Sequence, residues 1–137
     1  MYKNDFILRL LDEFAKFMGI LSGLKREEEY KQAEVAVDEA LKKFTQTDLE
    51  YLLSFEPSKL IEELVVKKKF TEDMLHVTAE LLYQTALIKQ SNKTEEDLLK
   101  YYIRSLALFK FLQTNQQKVF SMEVLQRVQL LEALIGE

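Results

Sequence analysis

The side chains best suited to chemistry lie close together in the second half of the chain. Glu72, Asp73, His76 and Glu80 are spaced so that one helix would bring them onto one face. Imidazole and carboxylate groups bind transition metals, but a di-iron site in a helical bundle needs a Glu-x-x-His motif on each of two helices. His76 is the only histidine, and the residue three positions before it is Asp73 and not a glutamate. We therefore expect no metal and no cofactor. Instead, we expect the two acids to stabilise a helix N-terminus and His76 to lie on the polar side or hydrogen-bond locally.

Other catalytic arrangements lack essential residues. The chain has no cysteine, which excludes disulfides, thiolate metal ligands and thiol nucleophiles. No Gly-x-Ser-x-Gly turn presents a serine to His76, and three glycines are too few for a phosphate-binding loop of the usual kind. We therefore expect no catalytic residue and no enzymatic activity. One alternative stays open, a small enzyme or ligand carrier whose pocket between helices uses His76, Tyr83 or Arg104. An ion pair to an acidic residue explains Arg104 more simply.

Charge and hydropathy argue against nucleic acids and membranes as partners. The net charge is −4, which gives no general attraction to phosphate groups. The basic run Lys67-Lys68-Lys69 is expected to be a solvated linker between two helices. No segment approaches the roughly 20 apolar residues that span a bilayer, and the charged N-terminus is unlike a signal peptide. These features predict a cytoplasmic location.

The elements that position these residues are predicted to be helices. Only three glycines and one proline interrupt apolar residues spaced three and four apart, which is typical of an all-α domain over 1–137. Thr47 is predicted as an N-cap, Pro57 as a first-turn residue, and Thr94 with Asp97 as a capping box. The predicted helices cover 4–22, 26–44, 47–54, 58–66, 72–90, 94–113 and 121–135.

Pairs of long helices joined by short turns predict antiparallel αα-hairpins. The small and apolar residues from Tyr30 to Leu41 resemble the second helix of a tetratricopeptide repeat. Together with the opening from Met1 to Leu11, they resemble the start of a family of small uncharacterised bacterial proteins with a tetratricopeptide-like fold. The resemblance implies a helical-repeat fold in the cytoplasm and no catalytic residues. An irregular helical bundle remains the alternative arrangement.

The predicted helix 94–113 carries apolar residues around nearly its full circumference. Such a helix is either central in its domain or shared with another molecule, and both interpretations are open. In the second, it would bind a protein or peptide, or a second copy of the chain, through aromatic-rich surface. The function predicted is therefore a non-enzymatic helical protein-interaction module, with a homodimer as one form of that interaction. The partner-binding residues expected are Tyr101, Leu108, Phe109, Phe111 and Leu112.

Overall fold

The computed structural model describes residues 27–91, 96–115 and 122–136. Within these ranges the protein is all-α, as predicted, with six α-helices packed against each other and no strand. The predicted helix over 4–22 lies outside the described residues. In chain order the helices are α1 Glu27–Thr45, α2 Leu49–Leu53, α3 Pro57–Glu62 with a π-helical turn Glu63–Lys67, α4 Glu72–Ser91, α5 Leu99–Asn115 and α6 Met122–Ile135.

The N-cap of α2 is Asp48, so the prediction of Thr47 is wrong by one residue. Asp48 has extended backbone, and its Oδ1 accepts a hydrogen bond from the Tyr51 N–H at 2.8 Å. The hydroxyl of Thr47 is buried and lies 2.6 Å from the hydroxyl of Thr45. Pro57 begins α3, as predicted.

The start of α5 is also later than predicted. The helix begins at Leu99, whose N–H donates to Asp97 Oδ1 at 3.0 Å, and Asp97 itself precedes the helix. Thr94, the other half of the predicted capping box, lies outside the described residues. Asp97 therefore acts at the helix terminus and not inside its first turn.

Among the described helices, α4 has the most buried side chains. It packs most extensively against α5 and also against α1. Two buried threonines on α4 satisfy their hydroxyls within the helix, since Thr78 donates to Met74 O and Thr85 donates to Leu81 O. Buried side chains occupy most of the circumference of this helix: Leu75, Val77, Thr78, Ala79, Leu81, Leu82, Tyr83, Gln84, Thr85, Ala86 and Ile88.

The helices α4 and α5 form an antiparallel hairpin. The hydroxyl of Ser105 donates to Ala79 O at 2.8 Å, and the Tyr102 hydroxyl donates to Gln90 Oε1 at 3.2 Å. Thus an earlier position on α4 meets a later position on α5. Because Ala79 is small, the two backbones approach closely enough for the Ser105 bond to form between helices.

Candidate functional site

Four of the five predicted partner-binding residues are core residues. Tyr101, Leu108, Phe109 and Leu112 are buried, because α5 is covered by α4, α6 and α3. The structure therefore corrects the expectation that these four side chains are exposed to a partner, since a buried side chain presents no surface. Phe111 is partly buried and packs against the edge of the core.

A polar cluster joins α4 to α6. Arg127 on α6 donates from Nε to Glu80 Oε1 at 2.8 Å and from Nη2 to Glu80 Oε2 at 2.7 Å. Gln84 adds a third hydrogen bond, from Nε2 to Glu80 Oε2 at 2.8 Å. The Arg127 guanidinium also lies 4.3 Å from the centre of the Tyr83 ring. This bidentate, stacked geometry makes the cluster a strong cross-link between the two helices.

The same cluster contains one buried acceptor without a partner. Gln84 is buried, and its Oε1 has no hydrogen-bond partner among the described residues. The amide orientation follows from Glu80, because only the NH₂ group can donate to a carboxylate. Burial raises the pKa of the neighbouring Tyr83, although the charge of Arg127 opposes that shift. The cluster therefore places polar side chains between two helices whose other contacts are mainly apolar.

His76 lies one turn before Glu80 and also contacts α6. Its Nε2 is 2.9 Å from Glu123 Oε1, and its ring meets the Phe109 ring edge-on at 5.7 Å between centroids. The contact with His76 lowers the pKa of the Glu123 carboxyl. Of the two arrangements expected for His76, the polar side of the helix or a local hydrogen bond, the second is wrong, because its partner Glu123 comes from another helix. The pairs His76–Glu123 and Glu80–Arg127 also show that α4 and α6 run in the same direction.

The acids predicted beside His76 have two separate roles, and Glu80 pairs with Arg127 as described above. Glu72 and Asp73 lie in the first turn of α4, where their charges favour the helix dipole. Within residues 27–91, 96–115 and 122–136, no group of three His, Asp or Glu side chains is placed to hold a metal ion.

A second charged cluster joins α1, α4 and α5 around Lys89. Its Nζ lies 2.9 Å from Glu34 Oε1 and 2.9 Å from Glu96 Oε1. The other oxygen of Glu96 accepts from Lys100 Nζ at 2.7 Å and from the Tyr101 hydroxyl at 2.8 Å. Burial would raise the pKa of Glu96, but the bonds from Lys100, Lys89 and Tyr101 outweigh it and lower the pKa to about 2.

This shift predicts a loss of stability in acid. The pKa of Glu96 falls from an ordinary 4.5 to about 2 on folding, so its contribution is present above pH 4.5. We expect that contribution to disappear as the pH falls towards 2. Urea denaturation of wild type and Glu96→Gln should show a stability difference at pH 6 that is lost by about pH 2. Glu39→Gln, at an exposed position on α1, is the control. An equal difference at both pH values would contradict the assignment.

Arg104 donates hydrogen bonds to backbone carbonyl groups. Its Nε donates to Phe55 O at 2.9 Å, Nη1 to Lys100 O at 2.8 Å and Nη2 to Leu53 O at 3.4 Å. The expected ion pair is therefore not what the structure shows at this side chain. Arg104 binds carbonyls at the end of α2 and fixes that end against α5. The three residues predicted to share a pocket are therefore separated: Arg104 contacts α2, whereas His76 and Tyr83 contact α6.

The α6 helix carries exposed apolar residues that were not predicted from the sequence. The "α6 outer face" consists of Met122, Gln126, Gln129, Leu130, Ala133 and Leu134, all exposed. Met122 is 58% exposed, Leu130 40% and Leu134 44%. The inward stripe of Val124, Val128 and Leu131 is buried, as its helical spacing predicts. The signal in the sequence was the excess of apolar residues outside that stripe.

The charged residues near this face are paired within the chain. Glu123 contacts His76, Arg127 contacts Glu80, and Glu132 Oε2 lies 3.0 Å from Lys110 Nζ. The six residues of the α6 outer face are uncharged, but exposed carboxylates lie along its edges. The side chains of Glu123 and Glu132 are 62% and 50% exposed, whereas Arg127 is directed towards α4 and is 26% exposed.

Other exposed apolar residues in the described ranges stand among charges. Val35 on α1 is preceded by Glu34, and Val66 is followed by Lys67. Leu99 at the start of α5 is followed by Lys100. Single exposed apolar residues of this kind are normal on protein surfaces. What distinguishes α6 is that three such residues, Met122, Leu130 and Leu134, lie on one helix.

The fold and these surfaces define a small all-α protein with two partly buried polar clusters between helices and a group of exposed apolar residues on α6. Comparison with protein-family models, with curated proteins and with solved structures finds no match. In the described part of the chain, no helix is both long and apolar enough to cross a membrane.

Proposed function

We propose that this protein is a non-enzymatic helical interaction module whose binding surface is the α6 outer face. The single observation that carries this proposal is that three large apolar side chains of one helix, Met122, Leu130 and Leu134, are exposed. Contiguous exposed apolar surface marks protein-binding sites, and depletion of charge distinguishes the centre of an interface. The proposed surface therefore replaces the buried residues of α5.

The polar clusters support this proposal by their position. The bonds from Arg127 to Glu80 and from His76 to Glu123 attach α6 to α4. A binding helix held in this way keeps its outer face in one orientation, which lowers the entropy cost of association. The antiparallel α4 and α5 pair supplies the rigid base, in keeping with a tetratricopeptide-like arrangement that acts in the cytoplasm.

The alternative of a small enzyme or ligand carrier draws on Gln84. Its buried, unpartnered Oε1 could accept a hydrogen bond from a ligand N–H. However, the residues expected to line such a pocket are engaged elsewhere, His76 by Glu123 and Arg104 by backbone carbonyls. The outer face of α6 is the stronger basis for function.

Site-specific photocross-linking in the native cell tests the interaction function. With a photoreactive residue in place of Leu130, we expect a cross-linked product heavier than the chain itself. The product should be lost when Met122→Glu adds a charge to the same face, because a desolvated charge opposes binding. A photoreactive residue in place of Val35 on α1 is the control site and should give no such product.

The function would be disproved by an absence of cross-links from position 130 under conditions where the probe is active. Equal yields from positions 130 and 35 would also contradict it, because they would indicate random collisions. Circular dichroism of Met122→Glu should match wild type, since this side chain is exposed.

A further inference from the structure

We infer that the α6 outer face binds a second copy of this chain, with the two α6 helices packed antiparallel about a two-fold axis. This inference rests on the proposed function, because it uses the same face and names its partner. The axis lies midway between Gln126 and Gln129. The argument depends on the spacing of the exposed residues, their volumes and the distribution of charge.

The first observation is the spacing. Met122, Gln126, Gln129 and Ala133 follow each other at intervals of four, three and four residues. Alternating steps of three and four keep side chains in one stripe and allow knobs-into-holes packing between helices. This series is the same when it is followed in either direction. A two-fold axis at its centre therefore places every stripe residue opposite another stripe residue.

The second observation concerns side-chain volume. In the antiparallel arrangement, Met122 faces Ala133 of the partner subunit, and Gln126 faces Gln129 of the partner subunit. A large residue thus meets a small one at both ends, and amide groups that can donate and accept hydrogen bonds meet in the centre. A parallel pair would instead place Met122 against its own copy and Ala133 against its own copy. That arrangement crowds one end and leaves a gap at the other.

The third observation is electrostatic. Each chain carries a net charge of −4, so two copies repel each other unless they meet through a neutral surface. The stripe is such a surface because its four residues carry no charge, and the exposed carboxylates of Glu123 and Glu132 beside it are each paired within their own chain. Antiparallel packing also sets the opposed helix dipoles side by side. Leu130 and Leu134 border the stripe and add apolar area.

The size of the contact sets the expected affinity. The stripe spans three helical turns, so the interface falls at the low end of specific complexes, and we expect dissociation in roughly the micromolar range. Sedimentation velocity of the whole chain across a concentration series is the measurement. Wild type should change from monomer to dimer as the concentration rises.

Two double variants test the geometry. Gln126→Glu with Gln129→Glu places like charges opposite each other in the two central layers, where residue 126 of each subunit faces residue 129 of the other. It should raise the dissociation constant of the dimer at least about tenfold. Gln126→Lys with Gln129→Glu places opposite charges in those layers only if the helices are antiparallel, and it should keep the dimer. In a parallel pair, each introduced charge would face its own copy, and dimerisation would be lost. Gln, Glu and Lys have similar helix propensities, so the monomer should fold normally.

The control changes charge by the same amount on the outside of α1. Lys31→Gln with Gln32→Glu, both at exposed positions, should leave dimerisation close to wild type. The inference is overturned if wild type stays monomeric, if the doubly acidic variant still dimerises, or if the oppositely charged variant does not. A monomeric wild type that still cross-links to another protein through position 130 would refute this inference alone. No dimer and no cross-link would refute the proposed function as well.

Discussion

Phe109→Ala is expected to lower the free energy of unfolding by about 3–5 kcal/mol. Phe109 is 0% exposed and is among the largest fully buried side chains. Removing its ring forfeits the buried apolar area and leaves a cavity that α4, α5 and α6 can fill only in part. The ring also supports the edge-on contact of His76, which faces α6. Since small domains have only about 5–15 kcal/mol of stability, this variant should be near the limit of folding.

Urea denaturation of Phe109→Ala beside two other truncations measures this effect. Met122→Ala, at a side chain 58% exposed, should change stability by no more than about 0.5 kcal/mol. Phe111→Ala, at a partly buried position, should fall between them. If Phe109→Ala were as stable as wild type but altered self-association, the assignment of Phe109 to the core would be wrong.

The pair Glu80–Arg127 is expected to show a coupling free energy of about 1.5–3 kcal/mol in a double-mutant cycle. Its side chains are only 14% and 26% exposed, and Arg127 makes two hydrogen bonds to the carboxylate. The cycle compares Glu80→Gln, Arg127→Met and the double variant. Glu80→Gln alone should be clearly destabilising, because it leaves the Arg127 charge over the Tyr83 ring without its carboxylate.

A matched cycle on Lys110 and Glu132 provides the comparison. This pair also joins α6 to its neighbour, but its side chains are 51% and 50% exposed and Lys110 makes a single contact at 3.0 Å. Its coupling should be no more than about 1 kcal/mol, because water screens exposed charges. Equal coupling in the two cycles would show that burial and bidentate geometry add nothing to the attachment of α6.

The helices themselves were largely predictable from sequence. The predicted segment 72–90 corresponds to Glu72–Ser91, and 26–44 corresponds to Glu27–Thr45. Apolar spacing and charged termini are local properties, so a single sequence carries them. The errors lie at the helix N-termini, at Asp48 and at the start of α5. Neighbouring polar residues there compete for the same backbone N–H groups, and small differences in geometry decide which residue caps the helix.

The candidate surface was less predictable. The sequence shows that α5 is apolar around nearly its full circumference. It does not show why, because a helix central in its domain and a helix shared with a partner have the same pattern. Tyr101, Leu108, Phe109 and Leu112 were expected at a surface and lie in the core, because three other helices cover α5. The exposed apolar residues of α6 are fewer and are mixed with glutamines, which made their signal weaker in the sequence.

By itself, the sequence determined the all-α class, the approximate helix boundaries and the lack of cysteine chemistry, because composition and local periodicity are sufficient for each. Only the tertiary structure decided which apolar side chains are buried and which charges are paired. Glu80 with Arg127 and His76 with Glu123 are far apart in the chain, and nothing in their spacing predicts that they meet. Long-range contacts also decide which side of α6 is buried, and they leave Met122, Leu130 and Leu134 at the surface.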